Sequence, residues 1–66
     1  MERESLIRMV NNIARNLSAQ GDEAAIAATA EHLRDFWDPR MKAALVAGSR
    51  EGLSAIAAAA VERLAG

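Results

Sequence analysis

His32-Leu33-Arg34-Asp35-Phe36-Trp37-Asp38-Pro39-Arg40-Met41 holds the only phenylalanine, the only tryptophan, the only proline and the only histidine of the chain. Proline disfavours the α conformation at the residue before it, here Asp38. Its own fixed φ and missing N–H suit the first turn of a helix. Asp38 can then accept a bond from a free amide of that turn. The stretch therefore predicts one helix ending near Trp37 and another beginning at Pro39. Asp38 and Pro39 form the cap, and the largest side chain of the protein sits at the joint.

Upstream, Leu6, Met9, Val10, Ile13 and Leu17 recur at steps of three and four, which sets them on one helical stripe. Arg8, Asn12 and Arg15 fall on the opposite side. Ser5 is the expected N-cap, with Glu4 and Arg8 pairing across one turn if the helix starts earlier. Gly21 is expected to end this helix and Asp22 to cap the next. There Ile26, Ala30, Leu33 and Trp37 share a face, and Glu31 and Asp35 project away from it. The third helix runs from Pro39 to about Ala47 and stops at Gly48, with Met41, Ala44 and Leu45 as its apolar residues. Gly48-Ser49-Arg50-Glu51-Gly52 has glycine at both ends and charge between, so it reads as a loop. A fourth helix follows from about Ser54 to Leu64, with Ile56, Ala57, Ala60 and Leu64 inward. Period-two alternation is missing, and β-branched residues are sparse against sixteen alanines. The expectation is all-α: a small bundle of about four short helices forming a single helical domain over residues 1–66. Small side chains at Ala57 to Ala60 let another helix approach closely.

A chain of 66 residues buries a small share of its surface, and its eighteen large apolar residues include Met1, which is expected to fray. With no cysteine, disulfides and thiolate metal sites are excluded. Stability must come from well-packed helices, self-association or docking on a partner, and the last two are favoured. Eight basic against nine acidic residues give a formal charge of −1, no electrostatic footprint for nucleic acid or an anionic membrane. No apolar run reaches the length that spans a bilayer. The opening Met-Glu-Arg-Glu-Ser lacks the hydrophobic centre of a signal peptide, so a cytoplasmic protein is expected.

Side chains capable of chemistry are present but not assembled. His32 has Ala28 four positions before it, and only Asp35 and Phe36 one turn after it, a poor ligand set for a metal. Glu31 and Asp35 are a carboxylate pair one turn apart, but they sit on the polar face where nothing raises a pKa. Ser5 and Ser54 read as caps, and Ser18, Thr29 and Ser49 have no histidine at a telling spacing. The two glycines of the loop lack the lysine and preceding strand of a phosphate loop. Helix two, the Asp-Pro break and helix three loosely mimic a helix-turn-helix, yet the short third helix brings only Arg40 and Lys42 behind Asp38. No catalytic, cofactor-binding or metal residue is expected.

The pattern His-Leu-Arg-x-Phe-Trp-Asp-Pro-Arg-Met at His32 to Met41 resembles the signature of the delta subunit of NAD-dependent, molybdenum-containing formate dehydrogenases. Leu6-Ile7-Arg8-Met9-Val10-Asn11-Asn12-Ile13-Ala14 is similar to the family's opening, and Gly52-Leu53-Ser54 with the alanine-rich run into Val61 to its ending. The likeness covers about Leu6 to Leu64, and the Ala57-Ala58-Ala59-Ala60 run is a departure from it, blander than the family's pattern. The resemblance implies a cytoplasmic complex that oxidises formate to carbon dioxide and reduces NAD. It implies a large alpha subunit with the molybdenum pterin and iron–sulfur clusters, beta and gamma subunits with flavin and further clusters, and a delta chain without cofactor. The expected role is that of a non-catalytic accessory subunit that stabilises the assembly or assists its maturation. The rival class is a free-standing helical module that self-associates as a homodimer, and a small DNA-binding protein trails both.

Within that reading the Phe-Trp-Asp-Pro-Arg-Met block carries the expected partner interface: Phe36, Trp37, Arg40 and Met41. Trp37 also fits the core, since it continues the stripe of Ile26, Ala30 and Leu33, and Phe36 at the edge of that stripe is the better candidate for exposure. Tryptophan and arginine are enriched at interface hot spots because each joins a large contact area to a directed polar group. Arg40 can fork onto a carboxylate inside the domain or on a partner.

Overall fold

In the computed structural model, which describes residues 2–66, four α-helices and one 3-10 turn follow one another. They are α1 (Arg3–Leu17), the 3-10 turn (Ser18–Gln20), α2 (Asp22–Phe36), α3 (Pro39–Ala47) and α4 (Ala55–Ala65). The architecture is all-α, with no strand among the described residues. The expected fraying of Met1 lies outside the described residues.

The apolar stripe of α1 turns Leu6, Val10 and Ala14 fully inward, with Met9 and Ile13 packed at its edges. Arg8, Asn12 and Arg15 face solvent. The helix begins earlier than a Ser5 cap allows. Glu2 holds the N-cap position, its carbonyl accepts the Leu6 amide at 3.3 Å, and the Ser5 hydroxyl bonds the Glu2 carboxylate from inside the first turn. At the other end the chain tightens into the 3-10 turn before Gly21, whose φ of +99° is a conformation that side-chain-bearing residues rarely adopt. Gly21, not Asp22, takes the N-cap of α2, because the Gly21 carbonyl already accepts the Ala25 amide at 2.9 Å. Asp22 becomes the first helical residue and, with Glu23, places negative charge at the positive end of the helix dipole.

Ala30, Leu33 and Trp37 of the expected face are buried, Ala25 and Thr29 join them, and Ile26 alone is left at the edge. Packing explains the difference. The most extensive helix contact in the molecule is between α2 and α4, and α4 presents Ala57, Ala60 and Val61 to it. Helices meeting through small side chains approach closely, so Ala25 and Thr29 occupy the seam and the bulkier Ile26 is left half-buried. The Thr29 hydroxyl is the one buried side-chain polar atom without a hydrogen-bond partner among the described residues.

Pro39 opens α3, and the Asp38 carboxylate accepts the Met41 amide at 2.9 Å. Leu45 is fully buried, and Met41 and Val46 pack against the core. Ala44, the third apolar residue named for this helix, is exposed, because Leu45 is the one residue so short a helix turns fully inward. One core joins Leu6, Val10, Ala14, Leu33, Trp37, Leu45, Ala57 and Val61 from all four helices and the α2–α3 joint.

The Gly48 to Gly52 segment is irregular, and distant side chains hold it. α3 has no basic residue in its own last turn. Arg3, at the start of α1, donates to the Ala44 carbonyl at 2.9 Å and to the Ser49 carbonyl. Arg50 donates to the Val46 and Gly48 carbonyls at 3.1 and 2.7 Å and pairs with Glu62 of α4 at 2.8 Å. Two guanidiniums thus satisfy carbonyls at the C-terminal end of α3, where positive charge is favoured. Asn11 of α1 donates to the Gly52 carbonyl and accepts the Ser54 amide, each at 2.9 Å. Ser54 then caps α4 through the Ala57 amide at 3.2 Å.

Candidate partner-docking surface

The α2–α3 joint sends its two aromatic side chains in opposite directions. Trp37 stands at the C-cap of α2, its amide bonded to the Leu33 carbonyl at 3.1 Å, and its backbone has turned extended (φ −91°, ψ 139°). Its ring lies in the core, 7% exposed. Phe36, the last helical residue, is 76% exposed, the only large hydrophobic side chain so exposed among the described residues. Its ring leans on His32 one turn earlier, with centroids 4.9 Å apart and planes tilted by 38°. His32 is thus engaged by an aromatic face and is half-buried.

Across the Asp38–Pro39 break, Arg40 is exposed and enters no ion pair among the described residues. Arg40 and Met41 line a hollow of about 410 Å³ together with Asp38, Ala44 and Leu6. The four residues expected at a partner surface are therefore divided. Arg40 and Met41 meet at one hollow, Phe36 is exposed at the end of α2 and is not among its lining residues, and Trp37 lies in the core. Two lining residues had no signal in the sequence. Leu6 comes from α1, and Ala44 belongs to a short helix whose facing depends on its neighbours.

Some of the remaining polar side chains are committed to structure. Ser18 bonds the Arg15 carbonyl at 2.8 Å, and Arg63 of α4 pairs with Glu23 of α2. Among the described residues no three histidine, cysteine, aspartate or glutamate side chains gather as a metal set. No described helix is long and apolar enough to cross a membrane. The joint carries an exposed ring, an unpaired guanidinium and a half-buried thioether on either side of a capped turn.

No curated protein and no solved structure matches the chain. One family model does, that of the NADH-dependent formate dehydrogenase delta subunit, FdsD, and it matches residues 5–61. The match takes in the stripe of α1, the aromatic joint, α3 and the start of α4 as far as Val61. With that share of its length covered, the chain belongs to the formate dehydrogenase delta subunit family.

Proposed function

We propose that the protein is a non-catalytic accessory subunit of a cytoplasmic, NAD-dependent molybdenum formate dehydrogenase. It docks on the large molybdopterin-containing alpha subunit through the α2–α3 joint, and it stabilises the assembly or assists its maturation. Membership of the family supplies the enzyme, and the observation that carries the docking surface is Phe36, three-quarters exposed and four residues before the unpaired Arg40. A phenylalanine left in water beside a capped turn offers a partner a large apolar contact. Arg40 lies in the first turn of α3, where the helix dipole gives a cation no local benefit, so a partner carboxylate is its natural complement.

Co-purification of the tagged chain with the other subunits tests this. Arg40→Glu is expected to keep the helical circular dichroism of the parent and to weaken recovery of the large subunit at least about tenfold, as loss of a buried interfacial charge pair does. Assembly and formate oxidation at the parent's level would refute the surface. A stable homodimer of the isolated chain that Arg40→Glu dissociates would transfer the joint to self-association.

A further inference from the structure

A second surface lies at the other end of α2. Asp22 opens that helix and Phe36 closes it, about 21 Å apart at the rise of an α-helix. Near Asp22, an open groove of about 660 Å³ runs between the polar side of α1 and the start of α4. Arg8, Asn12 and Arg15 line it from α1, and Ala55 and Ile56 line it from α4. Of the other five arginines, Arg3 is held by carbonyls near the end of α3, Arg50 and Arg63 pair with Glu62 and Glu23, and Arg34 and Arg40, which have no ion pair among the described residues, lie near the α2–α3 joint, away from this groove. Arg8 and Arg15 have no carboxylate partner among the described residues, and Arg15 is turned onto the Asn12 side-chain oxygen. The amides of Ala55 and Ile56, in the first turn of α4, also have no acceptor among the described residues. The groove therefore presents donors and positive charge, against a single lining carboxylate, Asp22.

We infer that this groove seats an acidic segment of a partner protein, with two carboxylates spaced to meet Arg8 and Arg15. Spacing argues for a segment over a single small anion. The two arginines stand seven residues apart on α1, about 10 Å along its axis, and the Asn12 bond keeps Arg15 at its own place on the groove. Charge argues for protein over nucleic acid. The chain carries a net −1, so it lacks the broad basic field that phosphate backbones need, whereas two local guanidiniums suit two carboxylates. The groove is also open to solvent, unlike the concave, enclosed sites that hold small molecules. The inference rests on the subunit reading only in requiring a partner chain, and it uses none of the joint's residues.

The test uses the chain co-expressed with the other subunits of its formate dehydrogenase. Arg8→Lys and Arg15→Lys each keep the charge and introduce an amine, which a carbodiimide joins to any carboxylate in contact. Peptide mapping by mass spectrometry is expected to find each amine linked to an aspartate or glutamate of another subunit, both within one short segment. The Arg8→Glu/Arg15→Glu variant is expected to keep its helicity and to lose about tenfold in affinity for the complex, more at low salt than at high. Linkage only to Asp22, linkage to a second copy of this chain, retention of nucleic acid, or unchanged assembly of the double variant would each overturn the proposal. Arg40→Glu, run in parallel, separates the surfaces: if it assembles normally while the double variant does not, the joint fails and the groove stands.

Discussion

Between α2 and α3 the chain turns in two residues, Trp37 and Asp38, whereas between α3 and α4 it takes seven, from Gly48 to Ser54. The short break is built from its own sequence. Pro39 sets the φ of the new helix, Asp38 caps it, and Trp37 plugs the core beneath. The long break is held by its own Arg50 and, in larger part, from elsewhere. Arg3 and Asn11, both more than forty residues away in sequence, hold it at the Ala44, Ser49 and Gly52 carbonyls and the Ser54 amide. A turn whose bonds are local survives changes at a distance, but one held by another helix is only as stable as the docking of that helix. In this protein α1 is both a core element and the clamp on the α3–α4 connection.

Trp37→Ala is expected to have the largest effect on this contrast. It removes the side chain that closes the core at the short break, and truncating a buried tryptophan typically costs about 3–5 kcal/mol. For a chain this small that is most of its stability, so the variant is expected to lose its cooperative thermal transition in circular dichroism. Phe36→Ala, one residue earlier, is expected to shift stability by less than about 0.5 kcal/mol, as exposed positions do. If the two variants melt alike, the division of the aromatic pair between core and surface is wrong.

That pair also shows how far the sequence was legible. Asp-Pro is a local stop with a local cap, and successive helical positions diverge by about 100°. The break was therefore readable from the stretch itself, and the stripe of Ile26, Ala30 and Leu33 pointed to the burial of Trp37 and the exposure of Phe36, although Trp37 was also expected at the partner interface. The stripe of α1 was readable by its period. Misplaced features depended on neighbours. Ser5 and Asp22 are good cap residues one to three positions inside the true caps, Glu2 and Gly21, because carbonyl bonding decides where a helix begins. The seam of α2 turned towards Thr29 because the alanines of α4 face it. Gly48 to Gly52 was readable as irregular, but nothing in those five residues names Arg3 or Asn11. The same limit applies to the hollow proposed for docking: Arg40 and Met41 follow from the motif, while Leu6 reaches it only through the packing of α1 on α3.

Asn11→Ala breaks the long connection at its centre. It deletes an acceptor for the Ser54 amide and a donor to the Gly52 carbonyl from a half-buried position, which is expected to cost about 1–3 kcal/mol. Local hydrogen exchange sharpens the test. The Ser54 amide and the first turn of α4 are expected to lose protection before the α2–α3 joint does. Uniform loss across the chain would show that the clamp has no local role. Asp38→Ala is the matching change at the short break, with about 1 kcal/mol expected for the loss of one N-cap bond. Its effect is expected to be confined to the first turn of α3, with Trp37 fluorescence unchanged.

Gly48→Ala is expected to be the smallest effect and the sharpest test. The backbone of Gly48 (φ −86°, ψ 178°) suits any residue, so no strain opposes a side chain there. What opposes it is Arg3, whose guanidinium carbon would lie 2.1 Å from an added Cβ. That carbon is the end of a flexible side chain, so it swings aside at the expense of its bonds to Ala44 and Ser49. Against this loss stands the reduced freedom of the unfolded chain, worth about 0.4–1 kcal/mol for glycine to alanine where the native backbone permits it. In the parent the two nearly cancel, leaving a change of a few tenths of a kcal/mol at most. In an Arg3→Ala background the opposing contact is gone, and Gly48→Ala is expected to stabilise by the full entropic amount. A double-mutant cycle by urea unfolding reads the difference directly. Equal effects in both backgrounds would mean that Arg3 does not rest on Gly48, and the long connection would then depend on Asn11 and Arg50 alone.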